Sequence, residues 1–261
     1  MLYQKVVRSI IGFLYLRMFL LYWPLYRIYK RWTDRTERAW VRGLVAPGDV
    51  IVDVGANIGV YSIFFASLVG SKGQVLAFEP DPHNFNRLQR ATARHTQILA
   101  IESAAGDVNG SARLFLSEGL NFDHKMYGNP GSEYSVEVPT IRLDDFESLR
   151  ERSVRLIKID VQGFECSVLR GAQATLSRNH DVSVLIEYYP WGPRSSGSSP
   201  EAFVDLIREG GFVVTTFDKD PNVLFTGFDK VRNRNWYRNL VLSRDGNGSL
   251  GSFTRASFYS T

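Results

Sequence analysis

From residue 49 onward the chain alternates apolar blocks with helically spaced ones. "DVIVDVGA" (49–56) is an apolar run that stops at a glycine, the pattern of a strand buried on both faces. "IGVYSIFFASLVG" (58–70) has helical spacing and a terminal glycine. "QVLAFEP" (74–80) predicts a second strand. "DPHNFNRLQRATARH" (81–95) predicts a helix opened by an Asp-Pro cap, and "ILAIESAAG" (98–106) a third strand. Strands are further predicted at 112–117, 134–143, 154–160, 182–189, 212–218 and 239–244, and helices at 164–179 and 200–211. Strand and helix in strict alternation imply right-handed crossovers, hence an α/β protein with a doubly wound parallel sheet.

The N-terminal segment has a different pattern. Residues 10–29, "IIGFLYLRMFLLYWPLYRIY", are apolar and aromatic but interrupted by Arg17 and Arg27, and Pro24 is expected to kink or end a helix. The longest uncharged stretch, 18–26, is too short to span a bilayer, and no small-residue cleavage site follows it. Residues 1–42 carry a net charge of +7 and the remainder −3, so the overall +4 belongs to this arm. A continuous helix would set Lys5, Arg8, Arg27 and Lys30 on one side, opposite an apolar face. Two readings follow: a helix docked on its own domain, or peripheral contact of residues 1–31 with an anionic membrane surface. The domain plan is a helical arm (1–42), a body (43–244) and a flexible glycine- and serine-rich tail (245–261). The body carries no basic stripe, so a nucleic-acid partner is not expected. The single cysteine, Cys166, forbids an internal disulfide and favours a reducing, cytoplasmic compartment, at most peripheral to the inner membrane face.

Three consecutive strand ends carry candidate ligand chemistry. Ligands of open parallel sheets bind beyond the carboxyl ends of the strands. The first end, "VDVGANIG" (52–59), offers Asp53, Gly55, Asn57 and Gly59 at a turn into a helix. Its spacing is neither the dinucleotide fingerprint nor a phosphate loop. The second end offers Glu79, an acid placed to accept both hydroxyls of a ribose. The third, "AAGD" (104–107), offers small residues that admit a flat base, with Gly106 and Asp107 at its edge. An acidic first turn with no nearby cation suits a sulfonium or ammonium better than a polyphosphate.

These residues resemble the FkbM-type family of S-adenosylmethionine-dependent methyltransferases. The resemblance covers roughly 48–243. It rests on "VDVGANIGVYS", "GQVLAFEPDPHNF", "AAGDVNG", "VPTIRLDDF", "LIKIDVQGFECSVLRGA" and "LIEYYP". It implies a Rossmann-like class I methyltransferase sheet of seven strands with the last, "NLVLSR", antiparallel. It also implies S-adenosyl-L-methionine as cofactor, with Asp53, Gly55, Asn57 and Gly59 at its methionine end, Glu79 at the ribose, and Gly106 and Asp107 beside the adenine. Members mostly methylate hydroxyl oxygens of sugars or polyketide-type products. The arm lies outside the resemblance, and Gln162 stands where the family segment has an acid.

A hydroxyl acceptor must lose a proton, so a base is expected near the fourth or fifth strand end. Asp160, Glu187 and the loop residue His124 are the candidates. Glu165 falls in a first helical turn, where a carboxylate suits the helix dipole without any catalytic role. The four histidines show no zinc spacing, so no metal is expected. Acceptor recognition is assigned to 118–134, through Phe122, His124, Tyr127 and Tyr134, and to 188–199, through Tyr188, Tyr189, Trp191 and Arg194. The acceptor is then a small molecule, a glycan or a lipid-linked glycan. The competing classes are a nicotinamide-dependent oxidoreductase and a non-catalytic module that kept a cofactor pocket.

Overall fold

A computed structural model describes residues 12–116, 126, 135–188, 197–216 and 238–244. His124, Phe122, Tyr127, Tyr134, Tyr189, Trp191, Arg194, Lys5, Arg8 and the tail 245–261 lie outside the described residues.

In chain order the elements are α1 (Phe19–Thr33), α2 (Arg35–Leu44), β1 (Val50–Val54), α3 (Val60–Val69), β2 (Gln74–Phe78), α4 (Pro82–Thr92), β3 (Ile98–Ile101) and β4 (Ala104–Ala105). They continue with β5 (Gly110–Phe115), β6 (Ser135–Ile141), the short α5 (Glu147–Arg150), β7 (Val154–Ile159), α6 (Glu165–Arg170), α7 (Gln173–Arg178), β8 (Ser183–Tyr188), α8 (Pro200–Glu209), β9 (Val213–Thr216) and β10 (Arg238–Ser243). The main sheet has seven strands in the order β3-β2-β1-β7-β8-β10-β9. All neighbours are parallel except β10, which runs antiparallel to both β8 and β9. Strand order reverses beside β1, which opens a crevice beyond the carboxyl ends of β1 and β7.

Buried on both faces, the central strands feed two cores by simple alternation. Val52, Val54, Leu76, Phe78, Ile157, Ile159, Val184 and Ile186 face α6, α7 and α8 through Val168, Leu169, Leu176 and Phe203. Ile51, Val75, Leu156, Leu185 and Val241 face the other way, onto Phe64 and Phe65 of α3 and onto Trp40 and Val41 of α2. Arg38 of α2 lies over Phe64 at 4.5 Å, so its cation is held against an aromatic face.

Several expected elements take a different form. The third strand breaks at Glu102–Ser103: β3 stays in the main sheet, while β4 pairs with β6 in a second, three-stranded sheet completed by β5. The helix expected over 164–179 is two short helices. A Cβ on Gly171 would meet the Gly106 carbonyl oxygen at 1.8 Å, so the chain turns there at close quarters. Asp144 then caps α7, its carboxylate accepting the amides of Ala174 (3.0 Å) and Thr175 (2.7 Å). Pro24 does not end α1, which continues through it to Thr33. The proline falls in the second turn, where it forfeits one bond to the Leu20 carbonyl, on the water-facing side of the helix.

Candidate active site

Beyond the ends of β1, β2, β7 and β8 lies a cleft of about 300 Å³. The turn Gly55–Ile58 forms its floor, Glu79 with Ala104, Ala105 and Phe164 one end, and Lys158, Asp160, Gln162 and Glu187 the other. Tyr26, Tyr29 and Lys30 of α1 complete its wall.

The floor is built by a backbone that needs positive φ. Gly55 has φ +78°, and a Cβ there would meet the carbonyl oxygen of Asp160 at 2.0 Å. The glycine therefore serves a close approach of the β7 end, besides any approach of a ligand. Asn57 also holds a positive φ, 52°, and its N–H donates to Oε2 of Glu79 at 2.8 Å. The Asp81 N–H donates to the other oxygen at 3.0 Å. Burial pushes the Glu79 carboxyl up to about 8, against the pull of these two amides. The Asn84 side chain also hydrogen-bonds this carboxyl, so three donors fix it at the end of β2.

Other residues expected at the cofactor lie off the cleft wall. Gly59 caps α3 in the left-handed region and packs against Leu88 of α4. Asp53 is fully buried beneath the floor, where Ser62 donates to its Oδ2 at 2.7 Å. Its Oδ1 has no hydrogen-bond partner, and burial raises its pKa. Asp107 accepts the Ser167 hydroxyl at 2.7 Å and faces Arg170 at 3.8 Å. Gly106 packs beside Phe164 and Ser167, and the cleft is lined by Ser103, Ala104 and Ala105 just before it. Tyr188, expected to meet the acceptor, is a core residue stacked on Phe203 at 4.3 Å, because its position in β8 points to the opposite face from Glu187.

The far end of the cleft is a charge cluster. Lys158 Nζ lies 3.1 Å from Asp160 Oδ2 and 4.7 Å from the centre of the Tyr61 ring. Lys30 Nζ lies 5.9 Å from that ring and pairs with Asp34 at 2.8 Å, and the Tyr61 hydroxyl donates to the same Asp34 oxygen at 3.0 Å. Two ammonium groups thus lie near one phenol ring. Burial alone would raise Asp160, but the Lys158 and Lys30 charges outweigh it and hold the carboxyl below the usual range. Glu187 responds oppositely. The Asp160 charge first, and burial second, push it up to about 8. The two carboxyls share a hydrogen bond, so at neutral pH the pair holds one proton, with the negative charge on Asp160. Gln162, in the left-handed region at φ 48°, donates from Nε2 to Asp160 Oδ1 at 3.4 Å. Glu165 is sealed away from this cluster, its Oε1 accepting the Gly163 N–H at 2.7 Å.

Asp160 and Glu187, read from strand ends, therefore meet in one place. Lys158 went unread, although a lysine inside the apolar run "LIKI" carried a signal, since a buried ammonium needs partners. Lys30 and Tyr26 reach the cleft through tertiary packing of α1, which no local pattern announces. Among the described residues, no group of three His, Cys, Asp or Glu side chains could hold a metal ion.

The methyltransferase FkbM domain model matches residues 53–214. The chain belongs to the FkbM methyltransferase family. Membership displaces the nicotinamide oxidoreductase reading and implies S-adenosylmethionine as the methyl donor. Similar proteins include hexuronic acid methyltransferase AglP of Haloferax volcanii, 31% identical over 62% of this chain and 62% of AglP. The 2-O-methyltransferase NoeI of Sinorhizobium fredii is 32% identical over 57% of this chain and 67% of NoeI. The 31-O-demethyl-FK506 methyltransferase FkbM of Streptomyces tacrolimicus is 29% identical over 74% of this chain and 83% of that protein. The chain thus spans less than two thirds of AglP. The matched FkbM unit starts at Asp53, so α1 brings Tyr26, Tyr29 and Lys30 to the cleft from outside it.

Proposed function

We propose that this protein transfers a methyl group from S-adenosylmethionine to a hydroxyl oxygen of a sugar, glycolipid or related natural product. The observation that carries the reading is the hydrogen-bonded carboxyl pair, Asp160 with Glu187, lining one cleft with the buried Glu79. The cleft's donor set fits the cofactor: a buried acid, Glu79, at an apolar end, and at the other the Asp160 and Glu187 carboxyls, with the charges of Lys158 and Lys30 partly offset by Asp160 and Asp34. When bound, the cofactor supplies an electrophilic methyl group on a sulfonium.

Glu79 would accept the ribose hydroxyls, held in place by the Asn57 and Asp81 amides. Ala104, Ala105 and Phe164 would face the adenine, with Gly106 and Asp107 behind them. The Gly55–Asn57 turn would meet the methionine end. Asp53 beneath it, carrying an oxygen without a partner, would contribute negative potential. Asp160, ionised at neutral pH, would orient the acceptor hydroxyl and take its proton as the oxygen–methyl bond forms. Glu187 would donate its hydrogen bond to Asp160 and fix that carboxylate's orientation. The buried Lys158 keeps the half-buried Asp160 charged. His124 is a further base candidate, in a loop outside the described residues. The names of AglP, NoeI and FkbM, two of which specify an oxygen, support an oxygen acceptor and a sugar-like substrate class.

The test is a mass-spectrometric search of extract products after incubation with methyl-labelled cofactor, beside calorimetry with S-adenosylhomocysteine. We expect a product gaining one methyl, lost in Asp160→Asn while S-adenosylhomocysteine still binds. Tight S-adenosylhomocysteine binding with no methylated product from any extract would instead indicate a non-catalytic module.

A further inference from the structure

Helix α1 has two faces, and only the inner one is used by the cleft. Tyr22 and Tyr26 point inward with Lys30, while Leu21, Leu25, Ile28 and Trp32 form a stripe on the opposite side at helical spacing. That stripe is open: Ile28 is 66% and Trp32 71% exposed, and Leu20 beside it is 90% exposed. Of the twelve large apolar side chains exposed among the described residues, nine fall between Phe13 and Trp32, so the exposure is one patch and not scatter. The helix packs on the body through Tyr22, buried with Ile58 and Val60, and through Asp34 at its end, which accepts the Tyr61 hydroxyl at 3.0 Å. Just before it, the Arg87 guanidinium donates to the Tyr15 carbonyl at 2.9 Å and lies 3.5 Å over the Tyr15 ring, and the Tyr15 hydroxyl bonds Asn84. An apolar stripe on a docked helix therefore faces outward by construction.

We propose that this outer face of α1 seats the protein on a bilayer rich in anionic lipid. Arg27 and Arg31 flank the stripe on one side, where an in-plane helix meets headgroup phosphates, and Trp32 and Tyr29 supply the aromatic groups that favour the interface. A second copy is a poorer occupant, because a symmetric pairing would bring these arginines towards their own counterparts. Among the described residues no helix is long and apolar enough to cross a membrane, so contact is in the plane of the surface. At 15 residues the helix would cover roughly 22 Å of it. Tyr29 is both exposed and part of the cleft wall, so the cleft borders the seated face. Where the methyl-transfer reading holds, a lipid-linked acceptor then reaches the cleft without leaving the bilayer.

The full chain would be floated with vesicles of phosphatidylcholine alone and of phosphatidylcholine mixed with phosphatidylglycerol, at low and high salt. We expect flotation with the anionic vesicles, weakened by salt. We expect a loss of at least tenfold in Leu25→Glu/Ile28→Glu, and of roughly fivefold for each of Arg27→Ala and Arg31→Ala. Unchanged thermal melting and S-adenosylhomocysteine binding establish that the variants are folded, and neither readout needs catalysis. Failure of the wild type to float with anionic vesicles overturns the proposal, as does equal flotation of the glutamate variant. So does a wild-type dimer that this variant dissociates while vesicles bind neither.

Discussion

Replacing Gly55 by alanine tests how the cleft floor is tied to the candidate base. At φ +78° any L residue loses about 1–2 kcal/mol relative to glycine. The added Cβ would also sit 2.0 Å from the Asp160 carbonyl oxygen, a backbone atom at the end of β7 that cannot swing aside. Relief requires the β7 end to move by about 1 Å, an overpacking cost of about 1–3 kcal/mol. The sum is about 2–5 kcal/mol, or a fall in Tm of roughly 5–15 °C for a chain of this size. Gly211→Ala isolates the backbone part, since its φ is +67° with nothing within 4 Å. Gly59→Ala should fall between the two, because its Cβ would meet the flexible tip of Leu88 at 2.8 Å. Urea unfolding of the three variants gives the ranking. In Gly55→Ala protein that is still folded, displacement of Asp160 should lower kcat by about a hundredfold. Equal destabilisation of Gly55→Ala and Gly211→Ala would refute the contact argument, whatever the activity.

Further expectations concern protons and a cap. Deprotonating Glu187 near pH 8 places a second negative charge beside Asp160 and makes it a stronger base, so kcat/KM should rise through that pH; Glu187→Gln should flatten the rise, and superimposable profiles would count against the shared proton. Glu165 is raised from 4.5 to about 7 by burial, so the stability that its protonated form provides is complete below 4.5 and declines as pH climbs to about 7. That interval is worth on the order of 3 kcal/mol, and Glu165→Gln should lessen the decline in urea midpoints measured between pH 5 and 8. Asp144→Ala should cost about 1–2 kcal/mol by uncapping α7, with Asn restoring part of it in the same assay.

The apolar runs made the parallel sheet legible, because strands covered on both faces leave an unbroken signal, as in "DVIVDV" and "VRLIKI". Strand ends then located Glu79, Asp160 and Glu187, since the fold alone carries those positions to one crevice. What stayed hidden depends on contacts distant in sequence. Nothing within "AAGD" says that Asp107 turns to Ser167, 60 residues away, instead of towards the cleft. The split at Gly171 follows from its approach to Gly106, and the period of the flanking apolar residues is indifferent to it. The basic side of the N-terminal helix was misjudged for the same reason: Lys30 turns inward to Asp34 and the cleft, a choice made by the surface it docks on.

The placement of β10 has a consequence for how the protein comes into being. This strand is inserted between β8 and β9, so the hydrogen-bonding edge of β8 stays unpaired until residues 238–243 have been synthesised. Glu187 sits in register with Asn239, whose side-chain amide donates to Glu37 of α2 at 2.6 Å, across a separation of 202 residues. A helix and a strand far apart in the sequence thus close the sheet together, beside the carboxyl pair. A nascent chain on the ribosome would expose a sticky β8 edge until β10 is made. Closure of the sheet beside the carboxyl pair would then wait on long-range pairing, the slow kind of contact to form.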